Sequence, residues 1–169
     1  MQFWQVSREV MAMIRQETLI GASAERCFDL SRDLDLHVRS MAHSGERAVA
    51  GRLSGLLGPG EEVTWEGRHF GLMLRHSSRI TEYDRPRYFR DSMVRGMFAR
   101  FEHDHYFDTV ASGTLMRDVV EFASPLGLLG RFVDRVVLKR HLERLIATRA
   151  QAIKREAEAD ERLNGRGDR

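Results

Sequence analysis

In the run Phe101-Glu102-His103-Asp104-His105-Tyr106-Phe107 two histidines stand two positions apart, with Asp91 in the preceding segment and Asp118 in the following one. On an extended strand residues i and i+2 point to the same side, so His103 and His105 share a face. Imidazole titrates near neutrality and a carboxylate can fix its orientation. A His105–Asp118 pair is therefore a candidate acid–base couple of the kind a cyclase or dehydratase uses. The same His-x-His, completed by Asp118, Asp91 or His69, has metal-ligand residue types, but simple alternation also produces it and catalytic zinc requires three protein ligands in a defined geometry. The sequence reading therefore assigns no metal and no cofactor. Neither a nucleophile elbow, nor a phosphate loop, nor a dinucleotide fingerprint is present. Cys27 is the single cysteine; with no disulfide or thiolate partner it reads as a small core residue.

These side chains must be positioned by short elements. Pro59, Pro86, Pro125 and several glycine clusters divide the middle of the chain into pieces too short for helices. The pattern predicts a strand over 12–20, a short helix capped by Ser23 and carrying Cys27, Phe28 and Leu30, and a second short helix over 33–41. Extended segments then follow at about 44–50, 61–70, 71–83, 87–95, 99–108 and 114–122, an antiparallel meander. Beyond Pro125 a long helical segment begins. Its apolar stripe changes side near residue 137, from Leu129, Phe132, Val133 and Val136 to Leu138, Leu142, Leu145, Ile146 and Ile153.

Alternation separates the predicted strands into two faces. One is polar and reads as the solvent side: Glu66 and Arg68, Arg75 and Arg79, Arg90, Glu102 and Asp104, Arg117 and Glu121. The other carries Val63, Trp65, Leu74, Ile80, Phe89, Met93, Phe101, Phe107, Met116, Val120 and Phe122, interrupted by His69, His76, Asp91, His103, His105 and Asp118. In the 87–95 segment Tyr88 and Val94 compete with Phe89 and Met93 for the inner side. Pairing Thr109 with Thr114 sets Phe107 against Met116, His105 against Asp118, His103 against Val120 and Phe101 against Phe122, so both phenylalanines meet apolar partners. A slip of one residue would place Asp104 opposite Asp118 and mix the faces. Six ionisable groups on one apolar face must be satisfied, either by one another in a dry core or by a cavity with a guest. Their number favours the cavity.

The chain has 169 residues, 42% of them hydrophobic and 31% charged, which suits one globular domain with a real core. No apolar run approaches the roughly 20 residues of a membrane span. The opening MQFWQVSREV lacks a basic region followed by an apolar run, so a cytoplasmic protein is expected. The formal net charge of +2 makes nucleic acid an unlikely partner, although the stretch Arg131, Arg135, Lys139, Arg140, Arg144, Arg149, Lys154 and Arg155 leaves an anionic surface open as an alternative. Phe3, Val6, Val10 and Met13 recur at helical spacing, an added helix for core packing or for pairing into a homodimer. The boundaries read from these patterns are an extension over 1–11, a domain over 12–155, and a charged tail over 156–169 that lacks an apolar face and is expected to be disordered.

The strings LDLHVRSMAHSGERAVAG, GEEVTWEGRHFG, YFRDSMVRGMFARFEHDHYF and GTLMRDVVEFASPLGLLGR, taken with this order of elements, are similar to those of an uncharacterised bacterial branch of the SRPBCC superfamily. That superfamily includes START domains, relatives of the birch-pollen allergen, and polyketide cyclase or dehydrase-like proteins. The resemblance covers about residues 12–155. It implies an α+β helix-grip fold, a seven-stranded antiparallel sheet wrapped around a long C-terminal helix with a hydrophobic cavity between them. It implies no single reaction, because carriers, receptors and enzymes share the scaffold. On that layout the loop Gly51–Gly60, with Leu53, Leu56 and Leu57, would lie near the cavity mouth and serve as a gate or as an ordinary anchor.

The resulting expectation is a non-catalytic module that binds a small hydrophobic, lipid-like or aromatic molecule. Its walls would be Trp65, Leu74, Phe89, Met93, Phe101, Phe107, Met116 and Phe122, with His69, Asp91, His103, His105 and Asp118 orienting polar groups of the guest. The alternatives are a cyclase or dehydratase using His105 and Asp118, and binding of an anionic surface or nucleic acid through the basic helix.

Overall fold

A computed structural model of the chain describes residues 11–123 and 137–167, with side chains through Leu163. The elements are β1 (Ala12–Ile20), α1 (Ala24–Ser31), α2 (Leu34–Ser40), a 3-10 turn over Ala42–Ser44, β2 (Arg47–Gly51), β3 (Glu62–His69), β4 (Leu72–Asp84), β5 (Tyr88–Arg95), β6 (Arg100–Val110), β7 (Gly113–Ala123) and α3 (Lys139–Gly167). The strands form one seven-stranded sheet in the order β1-β7-β6-β5-β4-β3-β2, and the pairs are antiparallel. The expected α+β layout is thus the one observed. The N-terminal helical spacing and the stripe from Leu129 to Val136 fall mainly outside the described residues; Met13 belongs to β1.

Local chemistry explains where the short helices begin. Ser23 Oγ accepts from the Arg26 amide at the start of α1, and Asp33 Oδ1 accepts from the Asp35 and Leu36 amides at the start of α2, so donors without a helical partner are satisfied in both. The β6–β7 register is the one that apolar matching demands: Phe107 lies opposite Met116, His105 opposite Asp118, and Phe101 opposite Phe122. The connecting turn leaves only Ala111 and Ser112 outside the ladder. It closes on Gly113, at φ +130° and so near the Ile20 carbonyl that an added Cβ would meet it at 2.1 Å.

The competition in β5 resolves in favour of Phe89, which is fully buried, while Tyr88 turns outward, stacks on Tyr106 and donates to Asp104 Oδ1 at 2.6 Å. Bulges in β4 between Ser77 and Ser78 and between Ile80 and Glu82 bend that strand, so that Tyr83 meets the inside again and packs on Phe28. On the outer face charges pair across strands. Glu66 is held at 2.7 Å by both Arg47 and Arg75, and Asp104 at 2.7 Å by Arg90.

The inner face is filled unevenly. Phe28 of α1 inserts among Tyr83, Phe89 and Phe107, with ring centroids 5.3, 5.3 and 5.4 Å away, and makes that half of the fold solid together with Ile20, Cys27 and Met116. The helix α3 lies along β1 and against α1 and α2, burying Ile146, Ala150, Ile153 and Ala157. Among the described residues no helix is long and apolar enough to cross a membrane.

One expectation is corrected here. Over its described part, 156–167, the expected disordered tail is helical: α3 continues to Gly167, with Ala157 fully buried, Glu158 Oε1 accepting from the Gly21 amide at 3.1 Å, and Asp160 paired with Arg26. A lone buried alanine among charges gives little hydrophobic periodicity, yet its small size is what lets the helix approach α1. Truncation after Arg155 removes the Ala157 packing and both polar attachments, and should therefore cost about 1–3 kcal/mol of unfolding free energy in a urea titration. An unchanged midpoint would show the segment to be dispensable. Burial also pushes the Cys27 thiol up to about 11, against an opposing hydrogen bond with Thr114. Iodoacetamide at pH 8 should leave Cys27 unmodified in the native protein and alkylate it once the chain is unfolded.

Candidate functional site

Beyond the aromatic packing around Phe28 the sheet and α3 diverge, leaving a cavity of about 180 Å³. Trp65, Leu74 and Phe101 form its sheet wall, and Leu142, Ile146 and Ile153 its helix wall. Its floor is polar. Asp91, His103 and Asp118 border the void from β5, β6 and β7, and His105 lies directly behind them, 2% exposed.

These four side chains form one connected cluster. His103 Nε2 donates to Asp118 Oδ1 at 2.9 Å, and His105 Nε2 is hydrogen-bonded to Asp91 Oδ2 at 3.0 Å. His105 Nδ1 is also 2.8 Å from Asp118 Oδ1, but off the line that a hydrogen bond requires. The imidazoles lie against each other with centroids 3.8 Å apart, and Phe89 stacks on His105 at 4.1 Å. Burial alone would raise both carboxyl groups; the hydrogen bonds and nearby imidazoles outweigh it and hold Asp91 and Asp118 well below the usual carboxylate range. Burial alone would lower His105, yet the carboxylates on either side hold it above the ordinary histidine value. His103 is lowered, first by burial and then by the charge of His105.

The expected His105–Asp118 pair is therefore present as a close contact, while the aligned hydrogen bond to Asp118 comes from His103. Of the thirteen expected site residues, Trp65, His69, Leu74, Asp91, Phe101, His103 and Asp118 border the cavity. Phe89, Phe107, Met116 and Phe122 do not: they are buried in solid packing, the first three around Phe28 and Phe122 beside Phe98 and Val120. Met93 is half-buried on β5, outside the lining. Insertion of Phe28 accounts for most of this difference, since it fills the half of the sheet that alternation alone leaves open.

Sequence reasoning missed the contributions of the helices. His37 of α2 stacks on Trp65 at 4.1 Å, and its Nε2 lies 3.4 Å from Glu46 Oε1, while both of its ring nitrogens are buried without a hydrogen bond. Arg149 of α3 borders the cavity and donates to the Ser31 carbonyl. Its position was legible in principle: Leu142, Ile146, Arg149 and Ile153 fall at helical spacing, so Arg149 interrupts an apolar stripe rather than extending a solvated one. At the mouth, His141 pairs with His69 at 3.0 Å and packs on Phe70 at 4.5 Å between centroids. Among the described residues of the basic stretch, Arg149 faces inward and Lys154 is engaged by the Leu19 carbonyl and Glu158.

Of the two readings of the loop from Gly51 to Gly60, the anchor is the one that fits Leu57, and the placement near the mouth is the part that changes. None of the loop borders the cavity; the Gly55 carbonyl accepts from Leu34, the Leu57 amide donates to the Arg32 carbonyl, and Leu57 is buried beside the α1–α2 junction. The rim instead bears Phe70 from the β3–β4 turn and Met97 from the β5–β6 turn, both exposed and both bordering the cavity.

No family model and no curated protein matches the chain. Solved structures do. A protein of Thermus thermophilus, TTHA0849, superposes with a TM-score of 0.66 at 20% identity, covering 84% of this chain and 97% of the other. The ZhuI aromatase/cyclase of Streptomyces sp. R1128 gives 0.70 at 15% identity, over 88% and 94%. The di-domain aromatase/cyclase StfQ of the steffimycin biosynthetic pathway gives 0.74 at 12% identity, over 91% of this chain and 53% of that one. The chain has the helix-grip fold. This is the architecture that the resemblance to the SRPBCC superfamily implied.

In this helix-grip chain His37 offers the clearest pH dependence. Burial is the main reason its ring is held below the ordinary histidine value; Arg149 adds to that, and Glu46 and Asp91 oppose it. A histidine kept neutral in the fold contributes stability above its unfolded value, near pH 6.5, and that stability is lost as pH falls. Replacing His37 with Phe, which keeps the stack on Trp65, should flatten the decline in unfolding free energy between pH 7 and 5 by up to about 1.4 kcal/mol per pH unit. Urea titrations of both proteins at three pH values would check this, and parallel profiles would refute it.

Proposed function

We propose that the protein captures a small, largely hydrophobic molecule in the cavity and does not transform it. The observation that carries this reading is a hollow with apolar walls whose few polar groups, Asp91, His103, Asp118 and Arg149, converge on its inner end. A ring or short acyl segment would lie between Trp65, Leu74 and Phe101 on one side and Leu142 and Ile146 on the other. Its hydroxyl or carbonyl end would meet the imidazole of His103 and the Arg149 guanidinium. A volume of about 180 Å³ accommodates a compact aromatic body, since an engineered void of roughly 150 Å³ is enough for benzene. Larger guests would extend through the apolar rim at Phe70 and Met97. The likeness to two aromatase/cyclases supports guests of this kind through the shared fold alone.

Titration with 2-naphthol, followed through Trp65 fluorescence and calorimetry, tests the reading. Ile146→Trp should fill the void and weaken binding at least tenfold, with the far-ultraviolet spectrum unchanged. Equal affinity in the filled variant would place binding elsewhere and overturn the proposal. Native mass spectrometry of gently purified protein should return any co-purified guest unchanged by incubation. A product of altered mass, lost in Asp118→Asn while binding persists, would overturn the non-catalytic part and establish acid–base chemistry in its place.

A further inference from the structure

The floor of the cavity has a donor geometry that capture of an organic guest does not explain. Asp118 faces both imidazoles, at 2.9 Å from His103 Nε2 and 2.8 Å from His105 Nδ1. An ionised carboxylate only accepts, so His103 Nε2 carries its hydrogen toward Asp118 and His105 Nε2 carries one toward Asp91. His103 Nδ1 is left with its lone pair on the side of Asp91, whose Oδ2 stands 3.9 Å from it and 3.0 Å from His105 Nε2. The donor atoms of Asp91, His103 and His105 all lie within 4.8 Å of one another. A divalent cation that displaces the hydrogen on His105 Nε2 would give all three atoms one shared partner. A proton held between His105 and Asp91 serves one ring only, because 3.9 Å is beyond hydrogen-bond reach for His103.

We propose that Asp91, His103 and His105 form a binding site for a divalent first-row transition cation of the zinc type, with an open coordination position facing the cavity. Ligands at roughly 2.0–2.2 Å from a tetrahedral zinc are separated by roughly 3.3–3.6 Å, and the two separations here straddle that range. Two imidazoles and one carboxylate are a donor set suited to zinc or ferrous iron. Asp118 would be the outer carboxylate that fixes both ring orientations, a recurrent partner of metal-bound histidine.

The scaffold suits the task. All four groups stand on the adjacent strands β5, β6 and β7, with Asp91 paired directly with His103 and His105 directly with Asp118. Such positions are held more rigidly than loop positions, and Phe89 braces the His105 ring. Charge also fits. Asp91, Asp118 and Glu46 bring three carboxylates to one region against the guanidinium of Arg149, so a dication brings the region closer to balance. Asp91 and His103 border the void, so the open position would receive an oxygen donor of the guest, such as a phenolate, an enolate or a pair of vicinal oxygens. The site needs no organic guest, and its readout is the metal alone.

Protein stripped with a chelator and titrated with Co²⁺ should develop visible d–d bands that saturate at one equivalent and are displaced by Zn²⁺. Asp91→Asn and His103→Gln, each checked for native circular dichroism, should each weaken Co²⁺ binding at least a hundredfold. Asp118→Asn should weaken it about 10–100-fold without abolishing it. His141→Ala should leave it unchanged. Wild-type protein that takes up no stoichiometric Co²⁺ or Zn²⁺ would overturn the site. Uptake that survives both Asp91→Asn and His103→Gln but is lost with His141→Ala would overturn it equally, by moving the metal to the pair at the mouth.

Discussion

A carboxylate cannot remain ionised in a protein interior without compensation, and this chain places Asp91 and Asp118 on the buried side of its sheet. Everything about the inner half of the fold answers that constraint. The two imidazoles of β6 are the compensating groups, and alternation along one strand brings both to the same side. Phe28 fills the neighbouring half with hydrocarbon, so the polar cluster lies at the boundary between the solid part of the fold and the hollow one.

The outer face meets the opposite demand. Glu66 and Asp104 are nearly as buried as the interior aspartates, yet each is clamped by arginine guanidinium groups at the surface. Ion pairs in contact with water contribute modestly to stability. Their more specific effect is on pairing, since a one-residue slip would part Glu66 from Arg75 and Asp104 from Arg90. The same sheet therefore uses carboxylates on both sides: outside they meet arginine and enforce alignment, and inside they meet histidine and create a polar floor.

The strands and their register were legible because a period of two is short-ranged and because this pairing of β6 with β7 sets Phe107 against Met116 and Phe101 against Phe122. That reading carried His103, His105 and Asp118 to the right side of the sheet before any coordinates. It failed where a distant element decides the outcome. Nothing in the alternation of β5, β6 and β7 shows that Phe28 will occupy the space beside Phe89, Phe107 and Met116, so these residues read as cavity wall when they are core. His37 and Arg149 were hidden for a related reason: a polar residue on a helix reads as solvated unless the surface it faces is known. The end of α3 was missed because Ala157, Glu158 and Asp160 act through small size and individual polar contacts, which leave no hydrophobic period.

The turn through Ala111 and Ser112 has a consequence for how such a chain can diversify. Its two residues act as a length gauge between β6 and β7, and the glycine that closes it has no room for a side chain. A single inserted or deleted codon there would either move Asp118 to the outer surface or break the ladder. Relatives of this protein are thus free to repaint the walls by point substitution and to lengthen the rim turns, whereas an indel at this corner is the one change that erases the polar floor in a single step.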